Sequence, residues 1–408
     1  MCPRHTACSA TNRRPPSVKA SASMPPGWRP QGIEMKVAVI RSECSYRKGG
    51  AERYAANLCR SLVELGHEVW VLAEKFDADI HPALIHIPIQ VDRSSSWSRN
   101  RSFNRNSQKA LAGLEVDAVL ALSRSFPSDA FRVSDPLHRY WMKVRYPGKL
   151  HRFLQTLNPR HRAILELENA ILDPANTRMI ITNSRLSKTI IREYYDYPED
   201  RIHVIYNGVD LDKFRPAAER PPSSGPVRLL FVGQDFQRKG LGTLIEALAL
   251  LEQRSRPCTL RVIGSDNPAP YRKLAARLGV ADLITFAGAS KEIHTAYQEA
   301  DLFVFPTFYD PFANVCLESL ACGLPALTTT TNGSSEIITD GIDGYVISGE
   351  PFPRADSIAA KVAAYCGLGA QHRDAMRTAA RETALTHTIE ANARRVAELL
   401  SGKEVPRG

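Results

Sequence analysis

The sequence predicts an α/β protein whose chain forms two doubly wound domains that face each other across a cleft. Two observations favour this class: a strand–helix alternation restarts once along the chain, and its strands are continuous apolar runs rather than alternating ones. Continuous runs indicate strands that are buried on both faces, as in a parallel sheet flanked by helices. Ligands of such sheets bind beyond the carboxyl ends of the strands, so we expect the functional site in the cleft.

The first unit of the pattern begins after residues 1–34, which are rich in Pro, Ser, Ala and Arg and show no periodicity. We expect these residues to be a disordered extension. An apolar strand at 36–41 is followed by Gly49 and Gly50 and then by a helix at 51–65, where apolar residues recur at helical spacing. Further continuous strands are predicted at 69–73, 116–122 and 179–182.

A proline-rich stretch at 216–226 predicts a linker, behind which the same alternation restarts with a strand at 228–232 and a helix at 241–251. The alternation continues through segments at 259–263, 271–278, 284–286, 292–299, 302–306, 315–321, 326–328, 334–338 and 345–347. Two such units predict two Rossmann-like domains. Their expected bounds are 35–215 and 216–385, and a C-terminal helix and tail at 386–408 is expected to pack back on the first domain.

The positive charge of the chain is concentrated in the first unit. Lys and Arg number 53 against 43 Asp and Glu, and residues 1–220 alone have an excess of +11. Residues 93–162 contain 14 basic residues and four acids. This stretch suggests an anionic ligand, an anionic membrane surface or a nucleic acid. Aromatic residues that could stack on bases interleave with the cations and are Phe103, Phe126, Phe131, Tyr140, Trp141 and Tyr146.

Several classes of protein are excluded by composition. The chain is 43% hydrophobic and 24% charged, which is a globular composition. Its 8 cysteines form no C-x-x-C pair and have no zinc-type spacing with histidines, so we interpret them as buried thiols in a reducing compartment. No apolar run reaches the length of a membrane span, and the first residues lack the apolar core of a signal peptide. We therefore expect a cytoplasmic protein.

In each unit, a glycine-containing turn follows the first strand. Both turns are candidate phosphate sites. Gly49 and Gly50 precede the first helix, whose amino terminus offers free N–H groups to a phosphate or sugar oxygen. A plain turn is the alternative, and the absence of G-x-G-x-x-G argues against a dinucleotide cofactor. In the second unit, Gly233 opens a turn that contains Arg238 and Lys239, two adjacent cations suited to a pyrophosphate. A solvated surface pair is the alternative there.

A third candidate motif runs from a strand end into a helix at 309–323. Asp310 lies in the entry loop, and Asn314, Val315 and Cys316 are expected to present free N–H groups at the start of the helix. Glu318 lies in the first turns of the helix, where its carboxylate could accept hydrogen bonds from two vicinal hydroxyls such as those of a ribose. An ordinary acid favoured by the helix dipole is the alternative for Glu318.

With these motifs the chain resembles the GT-B glycosyltransferases of family 4, whose signature is an acidic residue, seven residues and then Glu. Here Asp310 and Glu318 have that spacing. The resemblance extends from about Met35 to beyond Ile347. It includes the glycine pair, the Arg-Lys-Gly turn, the Asn-Gly-Val-Asp turn at 207–210 and the helix end at 320–325. Within the family, the segment 310–315 looks most like the branch of lipopolysaccharide core glucosyltransferases.

The resemblance implies a retaining, metal-independent transfer of a sugar from a nucleotide diphosphate donor, with a UDP-sugar expected. It implies that Arg238 and Lys239 bind the diphosphate and that Glu318 binds the ribose. Asp310 and the N–H groups at 314–316 would then contact the donor sugar and phosphates, with Gly49, Gly50 and Gly233 bordering the same site. The first acid of the signature is usually Glu, and the shorter Asp310 leaves the identity of the donor sugar open.

In the first domain, the resemblance implies that Asp135 faces the transferred sugar. His138 lies three residues later and is a second candidate for proton transfer or sugar binding, although a structural histidine is the alternative. The basic stretch around both residues suits an anionic glycolipid or polysaccharide acceptor at a membrane surface. We assign no metal: the D-x-D pairs at 77–79 and 210–212 are interpreted as loop acids.

Two other functions stay open at this point. A sugar-nucleotide epimerase on the same fold would release its product without any acceptor. A nucleic-acid-binding protein would use the basic stretch and its aromatic residues, and would have no need of Asp310 or Glu318.

Overall fold

The computed structural model describes residues 34–47, 49–219, 225–254, 257–290 and 292–402. The predicted extension at 1–34 lies outside this part of the chain except for its last residue, as do 220–224 of the predicted linker and 403–408 of the predicted tail. Within the described residues the chain forms two parallel α/β sheets, which confirms the predicted fold class.

The first unit contains a seven-stranded parallel sheet. Its strands, with a separate two-stranded pair β2 and β4, are β1 (Lys36–Ile40), β2 (Glu43–Cys44), β3 (Glu68–Ala73), β4 (Lys75–Phe76), β5 (Ile85–Pro88), β6 (Ala118–Ala121), β7 (Ser128–Val133), β8 (Thr177–Thr182) and β9 (Ile202–Val204). The order across the sheet is β5-β3-β1-β6-β7-β8-β9. The order reverses between β1 and β6, which is where this fold opens a crevice for ligands.

Six helices connect these strands. They are α1 (Gly50–Glu64), α2 (Ser96–Leu111), α3 (His138–Arg145), α4 (Lys149–Thr156), α5 (Pro159–Ile171) and α6 (Arg185–Tyr194). The apolar pattern of the sequence does not predict β7, because this strand contains Asp129 and Arg132 and so has no continuous apolar run. Asp129 is used inside the sheet, where its carboxylate accepts a hydrogen bond from the backbone N of Val119 at 2.8 Å. The candidate residue Asp135 therefore follows β7 rather than the strand that ends near residue 122.

The second unit contains a six-stranded parallel sheet in the order β12-β11-β10-β13-β14-β15. Its strands are β10 (Val227–Val232), β11 (Cys258–Ile263), β12 (Ile284–Gly288), β13 (Leu302–Phe305), β14 (Ala326–Thr329) and β15 (Gly344–Ile347). Its helices, together with those that end the described chain, are α7 (Leu241–Gln253), α8 (Ala269–Arg277), α9 (Ile293–Glu299), α10 (Asn314–Ala321), α11 (Ala355–Cys366), α12 (Ala370–Leu385) and α13 (Ile389–Leu400). The segment near 334–338 is a short 3₁₀ helix, Gly333–Ile337.

The last helix returns to the first unit. Val396 and Leu400 of α13 are buried in the same apolar cluster as Leu58 and Leu62 of α1. The chain therefore crosses between the units twice, once after β9 and once before α13. In the part of the chain that the structure describes, no helix is both long and apolar enough to cross a membrane.

Candidate active site

The turn after β10 holds the predicted cation pair against the second unit's own loop at 306–310. Gly240 ends this turn with a φ of 78°, and a Cβ atom at Gly240 would lie 2.0 Å from the carbonyl oxygen of Pro306. Only glycine fits that close approach without strain. The backbone carbonyl of Arg238 accepts a hydrogen bond from the N–H of Phe308 at 2.9 Å, which fixes the turn beside the loop.

Arg238, Lys239 and Asp310 form one buried charge cluster at the carboxyl end of β10. The ammonium of Lys239 donates a hydrogen bond to the carboxylate of Asp310, and both side chains are largely buried. A guanidinium nitrogen of Arg238 lies 3.6 Å from the same carboxylate and donates to the carbonyl of Tyr309 at 3.0 Å. Burial lowers the pKa of Lys239, and the neighbouring Asp310 opposes this shift. Asp235 also pairs with Arg238, at 2.9 Å from its Nε, so two carboxylates face the two cations. The adjacent guanidinium and ammonium groups are the kind that bind a diphosphate.

The amino terminus of α10 opens beside this cluster. Its N-cap residue, Ala313, supplies no side-chain cap, and the N–H groups of Asn314 and Val315 have no hydrogen-bond partner among the described residues. The prediction that the N–H of Cys316 is free is wrong. This N–H donates to the carbonyl of Ala313 at 3.0 Å, because the first turn of the helix closes by an i→i−3 hydrogen bond. The thiol of Cys316 is fully buried. Two free N–H groups, with the helix dipole behind them, remain to bind an anion.

The predicted glycine pair of the first unit faces this helix terminus across the cleft. Gly49 is the N-cap of α1 and Gly50 is its first residue. A Cβ atom at Gly50 would lie 3.5 Å from the side-chain nitrogen of Asn314. The side chain of Asn314 in turn accepts a hydrogen bond from Asn207 at 2.5 Å. The glycine turn and the start of α10 are thus brought together, whereas Gly233 lies at the end of β10, where a Cβ would be 3.6 Å from the Lys239 side chain.

Glu318 lines a second part of the cleft, on the side of α10 that faces α1. The cavity there is also lined by Gly50, Arg53 and Asn314. The hydroxyl of Tyr297 donates to the Glu318 carboxylate at 3.1 Å. Burial raises the pKa of Glu318, while Arg53, the Tyr297 hydrogen bond and Lys213 lower it. The carboxylate still has acceptor sites free for hydroxyl groups of a ligand, since the described residues give it one hydrogen bond only.

Comparison with known proteins decides the family. The model described as Glycosyltransferase Family 4 matches residues 48–213, and the one described as Glycosyl transferases group 1 matches residues 214–383. A D-inositol 3-phosphate glycosyltransferase of Pseudarthrobacter chlorophenolicus is 31% identical over 338 residues, which are 74% of this chain and 79% of that protein. The chain belongs to the family 4 glycosyltransferases. It is therefore a transferase enzyme.

Two other relatives of this glycosyltransferase support the branch and the fold. The lipopolysaccharide glucosyltransferase WaaG of Escherichia coli K12 is 28% identical over 335 residues, 77% of this chain and 86% of that protein. A crystal structure of WaaG superposes with a TM-score of 0.74 at 24% identity and covers 90% of this chain and 100% of that one. Anabaena HepE, solved with UDP and glucose, has the same fold at 17% identity, with a TM-score of 0.65 and coverage of 90% and 99%.

The glycosyltransferase joins its two units through a carboxylate that the sequence-based reasoning missed. Glu336, in the 3₁₀ helix of the second unit, accepts hydrogen bonds from the backbone N of Arg185 and of Leu186, each at 2.7 Å. These are the first two residues of α6, so Glu336 caps a helix of the first unit from across the cleft. The hydroxyl of Tyr206 donates to the same carboxylate at 3.0 Å. The sequence gives one signal of such a contact: the first turn of α6 contains no acidic residue of its own.

A separate cavity of about 190 Å³ opens in the first domain of the glycosyltransferase, beyond the carboxyl ends of β1, β6 and β7. Asp135 lines this cavity and is exposed. Four arginines line it as well and are Arg41, Arg99, Arg124 and Arg132. The structure thus places Asp135 in a cavity of the first unit that is lined by arginines.

His138 begins α3 and has a different environment. Its ring lies 2.9 Å from the ring nitrogen of His161, and its backbone N donates to Glu168 at 2.6 Å. Burial, and then the nearby His161, lower the pKa of His138 to about 4, so its ring is neutral at pH 7. The ring of His138 does not line the first-domain cavity. Its role in proton transfer or sugar binding stays a prediction.

Three of the four acids in the two D-x-D pairs accept hydrogen bonds from neighbouring groups of the chain. Asp77 accepts a hydrogen bond from Ser45 at 2.6 Å, and Asp79 accepts one from Arg47 at 3.4 Å. Asp210 accepts hydrogen bonds from the backbone N of Asp212 and of Lys213, at 3.2 and 3.0 Å. Among the residues that the structure describes, no group of three His, Cys, Asp or Glu side chains could hold a metal ion.

Proposed function

We propose that this glycosyltransferase moves a sugar from a nucleotide diphosphate donor to an anionic glycolipid or surface polysaccharide, with retention of the anomeric configuration. The observation that supports this best is the meeting of three anion-binding features in one part of the cleft, two from the second unit and one from the first. These are the Arg238–Lys239 pair, the free amino terminus of α10 and the glycine turn at the start of α1. Glu318 lies one turn along α10 from the free N–H groups, at a distance suited to a ribose attached to the same diphosphate.

The expected donor is a UDP-sugar, and glucose is the sugar we favour. Support comes from the relative named as a lipopolysaccharide glucosyltransferase and from HepE, which was solved with UDP-glucose. In this proposal Arg238 and Lys239 neutralise the charge that develops on the departing diphosphate, which is the task that a divalent metal performs in other enzymes. The proposal therefore assigns no cofactor and no metal.

The chemistry that fits these residues needs no covalent intermediate. The bond between the anomeric carbon and the diphosphate oxygen breaks, and a diphosphate oxygen takes the proton of the acceptor hydroxyl as that hydroxyl attacks from the same face. The nucleoside diphosphate leaves with the bonding electron pair, and retention follows from same-face attack. Asp310 and the N–H groups of Asn314 and Val315 would hold the donor during this step, and Asp135 would face the acceptor side.

We expect UDP-glucose to raise the melting temperature of the enzyme more than GDP- or ADP-sugars at equal concentration, since a ligand that binds the folded state alone stabilises it. A rise of several degrees corresponds to about 2–3 kcal/mol at a concentration a hundredfold above Kd. The product of transfer should have the α-anomeric proton coupling in its NMR spectrum. Equal shifts for all three nucleotide sugars would contradict the donor assignment.

Two further assays separate the alternatives: release of UDP from UDP-glucose with and without an acceptor, and retardation of nucleic acid in a gel. A sugar-nucleotide epimerase would release free UDP from UDP-sugar without any acceptor, whereas the proposed enzyme releases UDP at an appreciable rate only when an acceptor sugar is present. A nucleic-acid-binding protein would retard RNA or DNA in a gel with strong dependence on salt. Neither alternative is supported by the family to which the chain belongs.

We further propose that α4 holds the enzyme at the inner, cytoplasmic face of an anionic membrane. The described helix α4 has no buried residue. Its apolar side chains and the residue after it are largely exposed: Leu150 by 73%, Phe153 by 61%, Leu154 by 53% and Leu157 by 65%. Their spacing of three and four places them on one face of the helix. Two cations of the same helix, Lys149 and Arg152, would contact anionic headgroups.

The double change Phe153→Glu and Leu154→Glu should abolish cosedimentation with vesicles that contain phosphatidylglycerol, because it removes two apolar anchors and adds two repelled charges. Binding of the unchanged protein should weaken in high salt. Ile342→Glu is the matched control, since Ile342 is an equally exposed apolar residue of the second unit. Vesicle binding that survives the α4 change would disprove this role of the helix.

A further inference from the structure

The first-domain cavity contains a buried cation that the donor site does not use. Arg132, at the end of β7, is 2% exposed. One terminal nitrogen donates to the side-chain oxygen of Asn207, and the guanidinium lies over the ring of Tyr54 at 3.8 Å. Its Nε has no hydrogen-bond partner, and among the described residues no carboxylate lies within ion-pair distance of it. Burying a charge without an anionic partner lowers the stability of the folded protein by several kcal/mol. We therefore infer that the guanidinium of Arg132 binds a ligand.

A second cation of the cavity also has unused donors. Arg124, in the loop after β6, is partly buried, and it forms no hydrogen bond or ion pair with any residue that the structure describes. The two other arginines differ from it. Arg41 donates to the carbonyl of Leu122 at 2.6 Å, and Arg99 donates to Glu74 at 2.7 Å. Arg124 and Arg132 are therefore the two cavity arginines that form no ion pair with a described residue.

Among the described residues, the acids that line the cavity form no ion pair with Arg124 or Arg132. Glu74 is bound by Arg99 and by Arg93, the latter at 2.5 Å. Glu168 accepts hydrogen bonds from the first two backbone N–H groups of α3, at 2.6 and 3.0 Å, and from the hydroxyl of Tyr195. Asp135 is the one lining acid left with an exposed carboxylate. The cavity thus combines one acceptor group with two guanidinium groups that lack anionic partners.

We propose that this cavity is an acceptor subsite for a sugar that bears an anionic substituent, a phosphate or a carboxylate, which Arg124 and Arg132 bind. The cavity volume of about 190 Å³ corresponds to roughly six water molecules, which suits one substituted sugar ring rather than an oligosaccharide. A guanidinium presents parallel N–H donors that match the two oxygens of either substituent. Asp135 is then placed to accept a hydrogen bond from a hydroxyl of the same ring.

This subsite rests on the proposed function, because it takes the first domain as the acceptor side of the cleft. It also explains how acceptor binding would be sensed at the donor site. Arg132 donates to Asn207, and Asn207 donates to Asn314, the first residue of α10. A ligand bound to Arg132 is thus two hydrogen bonds away from the donor helix.

The test measures sugar binding by calorimetry while saturating UDP occupies the donor site. Glucose 6-phosphate and glucuronate are the two anionic probes, and glucose and inorganic phosphate are titrated beside them. We expect at least one anionic sugar to bind about tenfold or more tightly than glucose, which is 1.4 kcal/mol. Tighter binding of glucose 6-phosphate would indicate an acceptor that bears a phosphate, and tighter binding of glucuronate would indicate a uronic acid. The affinity for inorganic phosphate shows how much of the binding comes from the anion without a sugar ring.

Three variants complete the test. Arg124→Gln and Arg132→Gln should each weaken the anionic sugar about tenfold and leave glucose unchanged, and Arg124→Gln serves if Arg132→Gln does not fold. Arg105→Gln, an exposed arginine of α2 that does not line the cavity, should change nothing. Equal binding of glucose and both anionic sugars, or unchanged binding in both cavity variants, would overturn the subsite. UDP binding to each variant is measured in a separate titration without sugar, and its loss would count against the donor assignment instead.

Discussion

Lys239→Ala is expected to lower kcat/KM for sugar transfer by about a hundredfold to a thousandfold, the range seen when one preorganised donor to a developing oxyanion is removed. Lys239 is held at the end of β10 by the turn that closes at Gly240, so its ammonium is already in place when the diphosphate departs. The loss should appear mainly in kcat, because negative charge on the diphosphate increases in the transition state. Initial rates with UDP-glucose at saturating acceptor measure it.

The stability of the variant has to be measured beside its rate. Removing Lys239 leaves the buried carboxylate of Asp310 with Arg238 at 3.6 Å as its remaining cation, and a broken buried pair destabilises. Lys239→Met keeps the side-chain volume and removes only the charge. Lys361→Ala is the matched control, because Lys361 pairs with Asp340 at 2.8 Å on the surface and should keep its full rate. A folded Lys239→Met enzyme with near-normal turnover would refute the assigned role.

The donor side of the site could be predicted from the sequence because its residues follow strand ends. In a parallel sheet, consecutive strands deliver their carboxyl ends to one edge, so Lys239 after β10 and Asp310 after β13 meet there although 71 residues separate them. The place of Glu318 could be predicted because it lies one turn after the start of α10, which follows the same strand end. The error at Cys316 has a local cause: whether a first-turn N–H is free depends on how tightly the turn closes, and the sequence does not show this.

The acceptor side was less accessible to prediction. β7 lacks an apolar run because it contains Asp129 and the buried Arg132, so the apolar pattern of the sequence predicts no strand there. Arg132 finds its partner Asn207 at a separation of 75 residues, and Glu336 caps a helix that begins 151 residues before it. The first contact depends on how the first unit folds, and the second depends on how the two units dock. Continuous strands predict each sheet, whereas nothing in the local pattern predicts that docking.

Glu318→Gln is expected to raise KM for the nucleotide sugar and to lower kcat/KM about a hundredfold or more. A charged hydrogen bond contributes about 1.5–3 kcal/mol, and a ribose would form two with this carboxylate. Glutamine keeps the shape of the side chain but replaces one acceptor oxygen by a donor. Glu299→Gln is the matched control, because Glu299 pairs with Arg261 at 2.7 Å on the surface of the same unit. Unchanged donor affinity in Glu318→Gln would remove the ribose contact from the proposal.

The pH dependence supplies a second and independent measure of Glu318. Burial raises its pKa above the ordinary glutamate value of about 4.3, and only the ionised form accepts hydrogen bonds from both hydroxyls. The kcat/KM for the nucleotide sugar should therefore fall as the pH drops through that raised pKa. This acid limb of the pH profile should be absent in Glu318→Gln. The Tyr297 hydroxyl stabilises the carboxylate, so Tyr297→Phe raises the pKa of Glu318 further and should move the limb to higher pH. An acid limb that is identical in all three enzymes belongs to another group.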